Sequence, residues 1–145
     1  MIRSLVPVAA ALAAAACVAP EIMDDGDAGA ASLFDAPNRL FMGVEPSVLG
    51  LTGAPTVWEV LAPIGRRSPE GLEADQRTDL RIRMEGDAVR ADIVQSGLLD
   101  DAVAAEQVRL YLRLDSEGWW VANAYVRQKC RRGADAGAWT NEPCP

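Results

Sequence analysis

Three cysteines, two adjacent aspartates and a row of arginines are the residues of this chain whose types and spacing could do chemistry. Cys17, Cys130 and Cys144 are too scattered for the paired spacing of a thiolate zinc site, and none forms the C-x-x-C of a dithiol redox centre. Asp100 and Asp101 could share a proton or hold a cation, but adjacent aspartates more often open a turn by accepting backbone N–H groups, and that is the expectation. Arg81, Arg83, Arg90, Arg109, Arg113 and Arg127, with Lys129, fall mainly on the strand parity away from the apolar residues. They suit either a basic strip for an anionic ligand or partner, or the solvated face of a one-sided antiparallel sheet, and the solvated face is the simpler expectation. Histidine is absent, which removes imidazole bases, Ser–His and Cys–His pairs and His-ligated metals. Carboxylate-only catalysis remains possible on residue types alone. With no nucleophile or metal constellation in the sequence, the expectation is a non-enzyme without cofactor or metal.

The start of the chain is organised for export. Met1–Ser4 is a short basic opening, and Leu5 to Ala16 follows without a charge, which is the length of a signal-peptide core and too short for a membrane-spanning helix. The stretch ends Ala14-Ala15-Ala16-Cys17. This resembles the bacterial lipobox, in which small residues precede a cysteine that is acylated and becomes the new N-terminus. The position three residues before the cysteine is Ala14 where the pattern prefers Leu. The resemblance implies a signal peptide over 1–16, lipidation (diacylglycerol and palmitate) at Cys17 and attachment to a membrane through its acyl chains. Val18, where an inner-membrane lipoprotein of enteric bacteria carries Asp, points to the outer membrane, facing the periplasm. The alternative is an ordinary A-x-A cleavage site and a soluble periplasmic product. Acylation of Cys17 also removes the odd cysteine of an exported chain.

Residues 17–36 carry Glu21, Asp24, Asp25, Asp27 and Asp35, no basic residue and much Gly and Ala. Such a stretch buries too little apolar surface to offset its ordering entropy, so a flexible acidic tether is expected, followed by one domain over 37–145. The formal charge of −7 does not suit nucleic acid, whose binders need clustered positive charge.

The elements that must position the arginines are strands. Leu80, Ile82 and Met84 alternate with charged residues, as do Val89, Ala91 and Ile93. Gly86-Asp87 between them suits a type II′ hairpin, setting Met84 against Val89, Ile82 against Ala91 and Arg81 against Asp92. Arg83 then faces Arg90, a like-charge pair that needs a carboxylate between them. In a second hairpin Val108, Leu110, Leu112 and Leu114 share a parity, as do Trp120, Ala122, Ala124 and Val126. A three-residue loop, Ser116-Glu117-Gly118, brings the two apolar sets together. The cover for this sheet must come from residues 38–75. Pro55 to Ala62 has apolar residues at helical spacing and stops at Pro63, although a short strand with Trp58 and Val60 inward fits nearly as well. A further short helix is expected from Pro46.

After Cys130 the chain is polar apart from Trp139. In an oxidising compartment Cys130 and Cys144 should pair, closing a loop of 15 residues and folding Trp139 back on the sheet edge, a closure worth roughly 3 kcal/mol. The rival is a pair of free redox thiols.

Gly97-Leu98-Leu99-Asp100-Asp101-Ala102-Val103 and the strand end Gln128-Lys129-Cys130-Arg131-Arg132-Gly133 resemble a group of uncharacterised bacterial exported lipoproteins. In that group a G-x-x-D-D-[SA]-V turn joins two strands and a late strand ends Q-x-C-x-x-G. The resemblance covers about residues 80–144 and implies location and disulfide, but no reaction. The fold class expected is α+β, an antiparallel meander of about four strands with one or two short helices, similar to cystatin and NTF2-type folds. The expected role is a non-catalytic envelope module whose exposed sheet face or arginine strip (Arg81, Arg83, Arg90, Arg109, Arg113, with Asp100 and Asp101 beside it) binds another envelope protein. The alternative is a small-ligand or degenerate enzyme-like module with a pocket between sheet and helix, lined by Trp58, Trp119 and Tyr125.

Overall fold

The computed structural model describes residues 33–65 and 76–145. The leader, Cys17 and the tether as far as residue 32 lie outside the described residues. Four long antiparallel strands run as the alternation requires: β2 Arg77–Glu85, β3 Ala88–Ser96, β4 Val103–Asp115 and β5 Gly118–Cys130. Two short strands raise the count above four. β1, Met42–Val44, pairs with Ala124–Val126 of β5, and β6, Trp139–Thr140, pairs with Gln128 and Lys129. At 13 residues β5 is long enough to take both along one edge. The sheet order is β1-β5-β4-β3-β2, so β2 is an outer strand. The class is α+β, and the longest helix among the described residues, α1, runs over Val57–Gly65.

The first hairpin has the expected register, with Met84 opposite Val89, Ile82 opposite Ala91 and Arg81 opposite Asp92. Gly86 takes φ 64° and Asp87 stays at negative φ, as a II′ turn asks. Arg83 does face Arg90, and the Glu85 carboxylate lies between them, 3.8 Å from Arg83 Nε and 3.2 Å from Arg90 Nη1.

The second hairpin corrects the expected one. Asp115 pairs with Gly118, so the loop is the two residues Ser116-Glu117, and Leu112 meets Val121 rather than Ala122. A bulge at Ala122 then restores the expected pairs of Leu110 with Ala124 and Val108 with Val126. An extra residue in one strand flips the parity of everything beyond it. Trp119 and Val121 therefore turn to the apolar side and Trp120 to the other. Gly118, at φ 127°, sits where a Cβ would come within 2.7 Å of the Ala54 carbonyl oxygen. That approach lets Ala54 and Trp119 exchange backbone hydrogen bonds of 2.9 and 2.8 Å, locking the loop to the segment that precedes α1.

α1 starts one residue beyond Thr56 because Thr56 and Glu59 form a reciprocal cap. The Glu59 N–H donates to Thr56 Oγ1 at 3.3 Å, and the Thr56 N–H donates to Glu59 Oε2 at 3.1 Å. The helix runs through Pro63 and ends at Gly65, whereas the sequence reading stopped it before the proline. Its inward residues Val60, Leu61 and Ile64 pack with Leu49, Leu51, Val89, Ala91, Ile93, Val108, Leu110, Leu112, Val121, Ala124 and Val126. Leu49 closes the short 3-10 helix Pro46–Leu49, near the helix expected from Pro46. Gln95 Nε2 donates to the Ile64 carbonyl at 3.3 Å, satisfying one of the end carbonyls of α1.

Cys130 and Cys144 stand at disulfide distance, with a Cα–Cα separation of 5.4 Å. The tail between them carries β6 and lays Trp139 on the sheet, as the cysteine spacing suggested.

Candidate functional site: the arginine face and the outer strand

The face of the sheet away from α1 is covered as well. Leu33 to Phe41 crosses it, so the last four residues of the stretch read as tether belong to the packed body, and Phe34 and Phe41 are buried. This segment is helical at Leu33 and Phe34, turns at Asp35 and forms a short 3-10 turn over Asn38–Leu40. Its backbone carbonyls meet a sheet whose own groups are already paired, and buried carbonyls need donors. Arginines supply them. Arg109 donates to the carbonyl oxygens of Phe34 at 2.9 Å and Ala36 at 2.5 Å, and to Asn38 Oδ1 at 2.8 Å. Arg90 donates to the Phe34 carbonyl too.

Asp92, 1% exposed, anchors this network. Its Oδ1 accepts from Arg109 Nε and its Oδ2 from Arg90 Nε, both at 2.7 Å. Gln107 Nε2 also donates to Asp92 Oδ1, at 3.3 Å. Burial by itself would lower the Arg90 pKa, but the hydrogen bonds and charges of Asp92 and Glu85 outweigh it and raise it. Arg127 stands differently. It donates to Gln107 Oε1 at 2.8 and 2.6 Å and to the Leu33 carbonyl at 3.1 Å, and lies between the rings of Phe41 and Trp139, 4.7 and 4.8 Å from their centroids. No carboxylate touches it among the described residues. Burial first, and then the charge of Arg109, push its pKa down to about 10, with Asp92 opposing.

The expected arginine strip is therefore divided. Arg90 and Arg109 are buried and spent on Asp92 and the covering segment, so neither a solvated face nor an accessible binding strip describes them. Arg81 and Arg83 reach Asp35, at 3.7 and 3.1 Å. Arg113 is exposed and sits 3.4 Å from Asp87. Asp100 does what adjacent aspartates most often do: its Oδ1 accepts the N–H groups of Ala102 at 2.7 Å and Val103 at 2.8 Å. Val103 first, then Ala102, hold its pKa below the usual carboxylate value. Asp101 is exposed, 3.2 Å from Arg132. The two quoted motifs meet here, because Arg131 donates to the carbonyls of Leu98 at 2.6 Å and Asp100 at 3.0 Å, while Val103 pairs with Cys130.

The three rings expected around one pocket are dispersed. Trp119 packs beside the apolar core, Tyr125 meets Tyr111 edge-on on the opposite face with centroids 6.0 Å apart, and Trp58 is 65% exposed. Between α1 and the sheet, Val60, Leu61 and Ile64 pack into the apolar core. A cavity of about 370 Å³ on the arginine face is lined by Arg77, Asp79, Ser96, Lys129 and Trp139 among others. Among the described residues no three acidic, cysteine or histidine side chains gather as a metal site, and no helix is long and apolar enough to cross a membrane.

What the sequence reading did not anticipate is the condition of β2. Nothing among the described residues pairs its outer edge. Leu80, Ile82 and Met84, which point to the same face as the core, remain 43%, 37% and 69% exposed because α1 covers the sheet only as far as β3. The signal was present in the order of the chain: the strand that enters a meander first is the one left with a single neighbour.

No protein-family model matches this chain, and no curated protein or solved structure was found to match it.

Proposed function

We propose that the chain is a non-catalytic interaction module of the bacterial envelope, held to a membrane by lipid on Cys17 and engaging a partner chain in the envelope through the outer edge of β2. The observation that carries this reading is β2 itself. It is nine residues long, bonded on one side only among the described residues, with apolar side chains exposed along one face. Natural proteins usually shorten, bulge or cover such an edge, because its free N–H and C=O groups accept any passing strand. An edge left long and straight suits strand addition. The pairing of Cys130 with Cys144 agrees with an oxidising compartment. The arginine face supports the same reading by exclusion of a rival surface, since its cations already hold Asp92 and the covering segment.

The test is photo-crosslinking in intact cells, with a photoreactive residue in place of Met84 and, as control, of Glu117 at the far hairpin. A discrete adduct from position 84 alone is expected. Equal labelling from both positions, or none from either, would overturn the reading. Intact mass of the purified mature chain, before and after reduction, reports the acyl chains on Cys17 and the disulfide together.

A further inference from the structure

We infer that the strand accepted by β2 is the β2 of a second copy of this chain, paired antiparallel about a two-fold axis at Arg81. The inference rests on reading β2 as the contact edge and names its occupant. The argument begins with which backbone groups are free. The two-residue loop makes Glu85 and Ala88 the hydrogen-bonded pair that closes the first hairpin, and bonded and non-bonded pairs then alternate along it. Arg77, Asp79, Arg81, Arg83 and Glu85 thus turn their amide groups toward β3. Thr78, Leu80, Ile82 and Met84 turn theirs outward. A two-fold axis at Arg81 sets Leu80 opposite Ile82 of the other copy and Thr78 opposite Met84, so every outward-turned residue meets another.

The side chains choose among the registers that the backbone allows. About Arg81, Arg77 faces Glu85 of the other copy and Asp79 faces Arg83, each pair occurring twice. The axis pair, Arg81 with Arg81, is like-charged, and Asp35 of each copy lies 3.7 Å from its own Arg81 Nη1. Moving the axis to Leu80 sets Asp79 against Arg81 but also Arg77 against Arg83, twice each, so attraction and repulsion offset. Moving it to Ile82 sets Asp79 against Glu85 and Arg81 against Arg83, again twice each. Opposite charges across a strand pair stabilise it and like charges destabilise it, so the sequence Arg77–Glu85 complements itself in one register. On the other face Leu80 and Ile82 of the two copies meet across the seam, giving two of the apolar side chains that α1 leaves bare an apolar neighbour. The interface is isologous and closes at two copies, because pairing about the two-fold axis uses up the outer edge of β2 in each.

Single cysteines placed in the full-length lipidated protein, purified in detergent and mildly oxidised, test the register. At the axis the two Arg81 Cα atoms of a non-bonded pair lie about 4.5 Å apart, within disulfide reach. The two Arg77 positions are separated by about eight residues of strand, some 27 Å. The Arg81→Cys variant should crosslink to dimer at least tenfold faster than Arg77→Cys. Charge reversal gives the independent check. Asp79→Arg and Arg83→Asp should each shift the wild-type background to monomer by light scattering, and the double exchange, which restores the opposite-charge pairs, should recover dimer. Equal crosslinking of the two cysteine variants, or a monomeric wild type, overturns the inference. If the Met84 position then still labels a different protein in cells, the contact edge stands and only its occupant was wrong.

Discussion

Both faces of one sheet are buried here, by two different kinds of chemistry. Under α1 the contacts are apolar, and the covering helix satisfies its own backbone internally, so any side chains of suitable shape will serve. Under Leu33–Phe41 the cover bonds internally only at its turns and leaves the carbonyls of Phe34 and Ala36 to the sheet's arginines. The sheet must therefore carry the donors, which is why Arg90, Arg109 and Arg127 stand where solvent-facing residues would be expected. The first kind of core is tolerant of exchange and the second is not. Apolar packing loses energy in proportion to what is removed, whereas deleting one member of a buried ionic network leaves charges without partners.

The sharpest way to break this comparison is Asp92→Ala, which leaves Arg90 and Arg109 buried around an empty anchor. A loss of about 3–5 kcal/mol is expected in denaturant unfolding, against less than about 1.5 kcal/mol for Leu110→Met in the apolar layer. Similar losses from the two would erase the distinction between the faces. Next comes the clamp that closes the arginine face. Cys144→Ser should cost roughly 3 kcal/mol by loss of loop closure and release Trp139 from Arg127, seen as a shift in tryptophan emission. An unchanged midpoint after reduction of the wild type would show that the tail holds by β6 alone.

The smallest effect belongs to Arg127, whose charge balances no carboxylate among the described residues. Arg127→Met keeps the stem between Phe41 and Trp139, and should cost only about 1 kcal/mol at neutral pH for the lost hydrogen bonds. Its pH dependence is the sharper readout. Because the folded-state pKa is pushed down to about 10, the folded chain sheds this proton before the unfolded chain does. The penalty of the buried cation is full below that pH and is relieved as pH rises toward the ordinary arginine value. Wild type should therefore gain on Arg127→Met between thermal melts at pH 9 and pH 11, and a constant gap would contradict it.

Much of this was legible in the residues. Period-two alternation and Gly86-Asp87 were enough for the first hairpin, and cysteine spacing for the clamp. Thr56-Val57-Trp58-Glu59 carried a capping signal that would have placed the start of α1, had it been weighed above Pro55. The second hairpin was misread because a two-residue loop followed by a bulge brings Leu110 to the same partner as a three-residue loop without one. The polar parity was misread because a strand buried under a polar cover and one bathed in water alternate identically.

What the chain determined by itself is what neighbouring residues decide among themselves: strand periodicity, turn chemistry, the helix cap and which cysteines can reach each other. Tertiary structure decided the rest. Arg109 is buried by carbonyls 73 and 75 residues earlier, Gly118 is held by the approach of Ala54, and β2 is an edge because β3 is its only neighbour among the described residues. Such facts depend on what lies across the sheet, and a side chain's type states its capacity for contact without stating which contact it will find.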